Sequence, residues 1–281
     1  MSGMLAGLPL IEDTDEEKED AGKWLLHGPQ GSGKSTLAST IAQVGKTLYI
    51  DLVGEKGTRS FKKAPYASNI KVVRPTSVEQ LDDLFYHLDS GKHDYKAVII
   101  DSLTALQRMS LRYVMRHTES AVREIKQGTA PADQRTWGEA LNIMSDVAVF
   151  WYGLADGVRE NPMHVIMTAQ TKVTENELTQ TETRNPDVQP GALRITLATP
   201  DYVCYTDLEQ DLDADPEDGP AYKHILRFGA NPEYRTKARI PFNLRGKMPS
   251  VIGRKKPADL AELSRILGIG GASLPAKTTN K

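Results

Sequence analysis

Apolar residues along the chain follow two alternating patterns. Short apolar runs are typical of buried strands, and they occur at 23–27, 46–51, 69–73, 95–101 and 164–170. Apolar residues at helical spacing predict helices between these runs, at 35–42, 76–88, 102–117 and 137–158. Strands that alternate with helices predict a mostly parallel central sheet with helices on both of its faces.

The pattern changes in the second half of the chain. A polar stretch at 171–190 has no clear periodicity and is predicted to be a loop. Apolar runs at 202–208, 222–228 and 234–240 are separated by turn residues, which predicts antiparallel strands. A short helix is expected at 258–267. The predicted fold is therefore an α/β core whose parallel sheet carries a C-terminal antiparallel β extension.

Composition indicates one core flanked by two tails. The 281 residues are 39% hydrophobic and 26% charged, which is ordinary for a soluble globular protein. Residues 12–20 are almost purely acidic, so 1–21 is predicted to be an acidic flexible N-terminal tail. The main core is expected at 22–245. The remainder, 246–281, is predicted to contain a basic segment, a short helix and a loose C-terminal tail.

Cysteine content and hydropathy indicate where in the cell the protein is expected. The single cysteine, Cys204, cannot form an internal disulfide and suits a reducing cytoplasm. No apolar run reaches membrane-spanning length, and the apolar residues 4–11 lack the preceding basic residues of a secretory signal. We therefore expect a cytoplasmic protein with no membrane partner. The net charge of −2 means that any nucleic-acid surface is a local patch.

One stretch carries a specific chemical motif. Residues 28–35 fit the Walker A pattern G-x-x-x-x-G-K-S/T between a predicted strand and a predicted helix. In such a loop the backbone N–H groups form an anion site, Lys34 reaches the β- and γ-phosphates of ATP, and the Ser35 hydroxyl binds Mg²⁺. A Gly/Ser turn that matches by chance is the alternative. The predicted nucleotide-binding residues are Gly28, Pro29, Gln30, Gly31, Ser32, Gly33, Lys34, Ser35, Thr36 and Asp101.

Asp101 belongs to this set because it ends the most apolar predicted strand. A carboxylate at the carboxyl end of such a strand lies beside the phosphate loop and holds Mg²⁺, usually through water. An apolar run that ends in Asp is common on its own, but here it follows a Walker A motif in a strand–helix alternation. Ser35 and Asp101 are therefore the predicted metal-binding residues.

The residues after Asp101 point to a family. The run Asp101-Ser102-Leu103-Thr104-Ala105-Leu106 resembles the D-S-x-x-A-L run of RecA/Rad-type recombinase ATPases, whereas the AAA+ and helicase pattern would place Glu at 102. The resemblance implies that a Glu beyond the strand after the phosphate-loop helix activates the attacking water. Glu55 is that candidate, although the family commonly has Glu where Val53 stands. Asp51 is the alternate, and a plain surface role for Glu55 also stays open.

Two further elements resemble the same family. Gln170 ends a predicted strand as the RecA-family sensor amide does, and the resemblance implies that it detects the γ-phosphate. Lys237 and Arg239 resemble a K-x-R element whose cations reach the γ-phosphate of a neighbouring subunit. An incidental strand-end Gln and an exposed strand of alternating charge would look the same.

Basic residues suggest a nucleic-acid surface. Arg108, Arg112 and Arg116 recur at every fourth position of one predicted helix, and the densest positive run lies at 245–256. A solvated helix face would give the same pattern. Since no clear set of stacking aromatic residues accompanies these cations, sequence-independent contact with single-stranded DNA is expected.

Together, these elements resemble compact phage-encoded RecA-like ATPases over 22–240. The resemblance implies a RecA-like ATPase core, Mg²⁺-dependent ATP hydrolysis, and rings or filaments with ATP at subunit interfaces. It also implies action on single-stranded DNA in recombination, annealing or repair, in the host cytoplasm if the protein is phage-encoded. The alternative is a replication accessory protein, either a helicase loader or a helicase-like ring motor, whose main partner is a protein.

Overall fold

The computed structural model describes residues 4–5, 8–9, 20–52, 56–117, 134–176, 180–211, 214 and 221–270. Near the N-terminus it describes only a small antiparallel ladder of β1 (Met4–Leu5) and β2 (Leu8–Pro9). Most of the predicted acidic tail therefore lies outside the described residues. In the described part of the chain, no helix combines the length and the apolar character needed to cross a membrane.

A ten-stranded sheet forms the centre of the protein. Its main path contains β3 (Lys23–Gly28), β4 (Thr47–Asp51), β5 (Ile70–Val73), β6 (Ala97–Asp101), β7 (His164–Asn176), β9 (Tyr202–Gln210), β10 (Tyr222–Arg227) and β12 (Val251–Ile252). The spatial order is β12-β10-β9-β3-β7-β6-β4-β5. The six strands from β9 to β5 are parallel, whereas β10 is antiparallel to both of its neighbours, β9 and β12. The predicted fold class is confirmed.

Helices cover both faces of the sheet, so each central strand is buried on both sides. The described helices are α1 (Lys34–Ser39), α2 (Val78–Asp89), α3 (Leu103–His117), α4 (Gln134–Tyr152), α5 (Pro190–Ala198) and α6 (Leu260–Leu267). Leu25 and Val98 belong to the apolar cluster under α2 to α5, while Leu26 and Ile99 belong to the cluster under α1 and α6. Alternate residues of a strand thus build two separate cores.

The polar stretch after the fifth predicted strand is not a loop. Strand β7 continues to Asn176 and pairs antiparallel with β8 (Thr181–Pro186), so this stretch forms a β-hairpin. The hairpin projects beyond the central sheet and is largely exposed, with Val173 at 54%. The outer part of the ribbon is exposed and needs no alternation of apolar and polar residues, which explains why the prediction was wrong.

The C-terminal strands also differ in detail from the prediction. Strand β9 is antiparallel to β10 but parallel to β3, so it completes the parallel sheet. The strand expected at 234–240 is reduced to β11 (Lys237–Ala238), which pairs with the first residues of β9. Helix α6 packs on the core, since Leu260 is fully buried and its N–H donates to Thr40 Oγ1 at 2.8 Å. The predicted domain division at 245–246 stays a prediction.

Candidate nucleotide-binding site

The phosphate loop joins β3 to α1 through a tight turn. Gly33 has a φ of +89°, in the left-handed region that favours glycine, and its carbonyl oxygen accepts the N–H of Leu37 at 2.8 Å. A Cβ at Gly33 would also lie 2.8 Å from Nδ1 of His224, so the turn has no room for a side chain. The loop lines a cavity of about 520 Å³, as expected for an anion site.

Lys34 lies across this loop with only 7% of its surface exposed. Its Nζ donates to the carbonyl oxygens of Gly28 at 2.9 Å and Pro29 at 2.7 Å. The ammonium is thereby placed inside the cavity, where a phosphate oxygen could replace a carbonyl as its partner. The motif predicts that this ammonium contacts the β- and γ-phosphates, and that contact stays a prediction.

Asp101 is the centre of a buried hydrogen-bond cluster. The carboxylate accepts the Ser35 hydroxyl at 2.7 Å on Oδ2, the Tyr49 hydroxyl on the same oxygen, and the Thr168 hydroxyl on Oδ1. Burial, reinforced by Asp101, raises the pKa of Tyr49, so its phenol stays protonated and donates. Three hydroxyl groups therefore hold the carboxylate beside the first turn of α1.

These residues fit a magnesium ion. Mg²⁺ usually binds one or two carboxylates, with water and substrate phosphates completing its octahedron. Ser35 Oγ and Asp101 Oδ2 supply neighbouring oxygen atoms at the cavity wall. A Cβ at Gly57 would lie 2.3 Å from Asp101 Oδ2 and 2.8 Å from Ser35 Oγ. The backbone of Gly57 therefore lies against these two oxygen atoms, where a side chain would not fit. Among the described residues, no cluster of three or more His, Cys, Asp or Glu offers an all-protein metal cage.

Gln170 lies at the base of the phosphate loop, in register with Gly28. Its N–H donates to Thr104 Oγ1 at 3.1 Å, and its carbonyl oxygen accepts the N–H of Asp187 at 2.7 Å. It lines the same cavity as Lys34, Ser35 and Asp101. The insertion of β7 between β3 and β6 is what brings this residue to the site.

The residue expected to activate water is not placed. Glu55 lies outside the described residues, so its role stays a prediction. The alternate, Asp51, ends β4 in register with Asp101 and is 3% exposed. Its Oδ2 accepts Nε of Arg74 at 2.9 Å, and its Oδ1 has no hydrogen-bond partner in the described part of the chain.

Lys237 and Arg239 are not brought to the phosphate loop of their own chain. They lie next to the first residues of β9, which align with the start of β3, whereas the phosphate loop follows the end of β3. The Lys237 ammonium donates to three backbone carbonyls at the C-terminal end of α5, those of Leu197, Ala198 and Pro200, at 2.6 to 3.3 Å. Arg239 pairs with Asp201 at 2.6 Å. Contact with a neighbouring subunit's phosphate stays a prediction.

Sequence reasoning missed several residues that line the cavity. Lys56 and Arg59 come from the turn after β4, and His224 comes from β10. The two cations could have been found, because they lie a few residues beyond the strand tip that faces the phosphate loop. His224 had no such signal, since only the tertiary packing of β10 against Gly33 places it there.

His27, next to the phosphate loop, is buried and neutral. Its Nε2–H donates to the carbonyl oxygen of Arg235 at 2.8 Å, which leaves Nδ1 to accept the Thr171 hydroxyl at 3.0 Å. Burial is the main reason that its pKa is lowered to about 4. The ring thus ties the end of β3 to the start of the β7–β8 hairpin without adding charge.

Two buried histidines should make the fold sensitive to mild acid. Burial lowers the pKa of His164, like that of His27, to about 4, and His164 Nδ1 accepts the N–H of Gly22. The unfolded chain protonates both groups near pH 6.5. The free energy of unfolding should therefore be fully retained above that pH. It should fall between about pH 6.5 and 4, by up to about 1.4 kcal/mol per pH unit for each histidine.

Urea unfolding at about pH 7.5, 6 and 5 measures this effect. His164→Asn keeps a side-chain oxygen that can accept the Gly22 N–H but does not titrate, so its stability should depend less steeply on pH. Equal pH dependence in the two proteins would contradict the assignment.

The fold and this arrangement define a P-loop nucleotide-binding protein: a parallel sheet and a strand–loop–helix turn that bring Lys34, Ser35, Asp101 and Gln170 around one anion-binding loop. Residues 21–240 match the family described as AAA domain, and the chain belongs to that family. It is therefore a nucleotide-binding protein of the ATPase type. No curated protein matches the chain. The finer likeness to phage RecA-like ATPases stays a prediction.

Proposed function

We propose that the protein binds ATP with Mg²⁺, hydrolyses it, and acts on single-stranded DNA in recombination, annealing or repair. The observation that carries the proposal is the convergence of Lys34, Ser35, Asp101 and Gln170 on one cavity. Lys34 and the loop N–H groups would bind the phosphates, and Ser35 with Asp101 would hold the ion. Mg²⁺ would neutralise charge on the β- and γ-phosphate oxygens.

The remaining roles concern water and the γ-phosphate. Gln170 would present its amide to the γ-phosphate from the base of the loop. Glu55, or Asp51 as the alternate, would orient the attacking water. Lys56 and Arg59 face the same cavity and would add positive charge near the transferred phosphate.

A second cavity of about 550 Å³ supports a nucleoside triphosphate as the ligand. It shares the wall residues Gly33, Thr36 and His224 with the phosphate cavity, so the two cavities adjoin. Apolar side chains contribute much of its wall, including Leu37 and Ala258. A volume of this size, with apolar walls and a few polar groups, suits a base and its ribose.

A bulky side chain in the second cavity should weaken binding of the nucleoside without affecting binding of the phosphates. Ala258→Trp should weaken ATP binding about tenfold or more, because an overpacked site costs about 1–3 kcal/mol. Binding of inorganic tripolyphosphate, which needs only the phosphate loop, should change little. Calorimetric titration of both ligands measures the difference. Ala230→Trp, on an exposed loop residue, is the matched control, and equal loss of both ligands in Ala258→Trp would contradict the nucleoside assignment.

The ATPase rate with and without single-stranded DNA tests the proposed function. A DNA-activated enzyme should hydrolyse ATP faster when an oligonucleotide is added. A replication accessory protein would instead respond to its protein partner, and a helicase-like motor would unwind a forked duplex. Turnover that ignores single-stranded DNA would refute the DNA role while leaving the AAA-domain assignment intact.

A ring or filament is the proposed assembly, with Lys237 and Arg239 facing a neighbour's γ-phosphate. Arg239 is 63% exposed but pairs with Asp201, and Lys237 donates to backbone carbonyls at the end of α5, so each would have to leave these partners to reach a neighbour's phosphate. Solution mass with a nucleotide analogue tests assembly. Mixing Arg239→Ala with Lys34→Ala subunits should restore part of the activity if sites are shared.

A further inference from the structure

A cleft of about 550 Å³ lies between the start of α2 and the length of α3, in a part of the molecule that the nucleotide site does not use. One wall is formed by the residues that cap and begin α2. The other wall is one face of α3. The lining residues that matter here are Glu79, Arg108, Met109, Arg112, Tyr113, Arg116 and His117.

Three arginines give this cleft its charge. Arg108, Arg112 and Arg116 recur at every fourth position of α3, so they form one row with steps of about 6 Å along the helix. All three are exposed, and among the described residues none of them has an ion pair. Guanidinium groups recognise phosphate well because they are planar and donate in pairs.

The floor of the cleft is apolar and aromatic. Met109 is buried beneath the arginine row, and the rings of Tyr113 and His117 stack at a centroid distance of 4.3 Å. His117 is exposed, so this ring pair offers one open aromatic surface at the end of the row. A flat aromatic surface beside cations is the combination that binds both the bases and the backbone of a single strand.

The opposite wall adds little negative charge. Glu79 is the one acidic residue among those that line the cleft, against three arginines. Its backbone N–H, at the start of α2, holds the pKa of its carboxyl below the usual range. The first N–H groups of a helix also favour an anion. The cleft therefore has a positive field with a single opposing charge.

We propose that this cleft binds a segment of single-stranded nucleic acid, with successive phosphates on Arg108, Arg112 and Arg116 and a base on the Tyr113–His117 ring pair. Contact through phosphates and one ring surface is independent of sequence. The proposal deepens the DNA role in the proposed function. It names the surface that the strand occupies.

The same helix connects this cleft with the nucleotide site. The first turn of α3 contains Thr104, whose hydroxyl oxygen accepts the N–H of Gln170, and α3 begins two residues after Asp101. A nucleic-acid strand bound along α3 would therefore contact the same helix that contacts Gln170 at the nucleotide cavity. That arrangement predicts an ATPase rate that responds to DNA.

Fluorescence anisotropy of a labelled oligothymidylate, titrated with the full-length protein over a series of salt concentrations, tests the proposal. The triple variant Arg108→Gln, Arg112→Gln, Arg116→Gln should bind about tenfold or more weakly. Its slope of log K against log salt should be smaller by about 2, since each phosphate contact on a single strand contributes about 0.7. Arg194→Gln, an exposed arginine on α5, should behave as the wild type.

The single arginine variants serve as a second test in case the triple variant does not fold. Each should reduce the slope by about 0.7, and thermal melting shows whether the fold is kept. Tyr113→Leu keeps apolar bulk but removes the ring, so it should weaken binding about fivefold or more with little change in slope.

Three results would overturn the proposal. One is a wild-type protein that binds the oligonucleotide while all arginine variants bind equally well, which would reject the cleft but leave the DNA role. Another is an oligoglutamate peptide of equal charge that binds as tightly as the oligonucleotide, which would make the cleft a site for acidic protein. A wild-type protein that binds no oligonucleotide would reject both the cleft and the DNA role.

Discussion

Replacing Lys34 with alanine should abolish ATP hydrolysis and strongly weaken ATP binding. The Lys34 ammonium is the only side-chain cation whose hydrogen bonds to the loop carbonyls at Gly28 and Pro29 place it directly over the described phosphate loop. Loss of one preorganised donor to a developing phosphate charge typically lowers turnover about 10²–10³-fold. Phosphate release under saturating ATP and calorimetric titration with ATP measure the two effects.

The control for Lys34→Ala is Lys63→Ala, which removes an exposed lysine outside the cavity. Both variants should melt at similar temperatures without nucleotide, but only Lys63→Ala should gain stability when ATP is added. Hydrolysis that persists in Lys34→Ala at the wild-type rate would refute the site.

Replacing Asp101 with asparagine should remove the dependence of turnover on Mg²⁺ by removing the carboxylate next to Ser35. Asn keeps the volume, but its amide group cannot accept all of the hydroxyl groups of Ser35, Tyr49 and Thr168. We expect turnover to fall about 100-fold or more. A buried hydroxyl that loses its acceptor should also lower the free energy of unfolding by about 1–3 kcal/mol.

A titration of ATP affinity with and without Mg²⁺ separates these consequences. In the wild type, Mg²⁺ should strengthen ATP binding, and in Asp101→Asn the gain should largely disappear while metal-free binding changes little. Asp207→Asn, which alters a carboxylate paired with Arg227 on the antiparallel side of the sheet, should retain the Mg²⁺ effect. A full Mg²⁺ effect in Asp101→Asn would exclude Asp101 as part of the metal site.

The local conformation of the site motifs could be predicted where it depends on neighbours in the chain. The phosphate loop requires glycine at a left-handed position directly before Lys34, and a strand before it, and both features are visible in the sequence. Asp101 was found because a buried strand ends in a carboxylate. Gln170 was named from its resemblance to the RecA-family sensor amide; it was expected to end a strand, but β7 continues past it to Asn176.

Predictions were weakest where long-range packing decides a side chain's partners. The K-x-R pattern was interpreted as two cations that reach a neighbouring subunit's γ-phosphate, and the pattern gave no sign that Lys237 caps the end of α5, a helix that lies about forty residues earlier. The hairpin after Gln170 was taken for a loop because solvated ribbons lack apolar alternation. Neither the partners of Lys237 nor the pairing of β7 with β8 can be inferred from residues within one turn or one strand.

The amino-acid sequence by itself determined the order of strands and helices, the phosphate loop and the acidic strand tip, because each depends on hydrophobic period or on the conformation of adjacent residues. Tertiary structure alone decided that β7 lies between β3 and β6, that His224 and residues 253–258 enclose a second cavity, and that the arginines of α3 face the start of α2. Those contacts join residues distant in the chain, and they arise only when both apolar faces of the sheet are buried together.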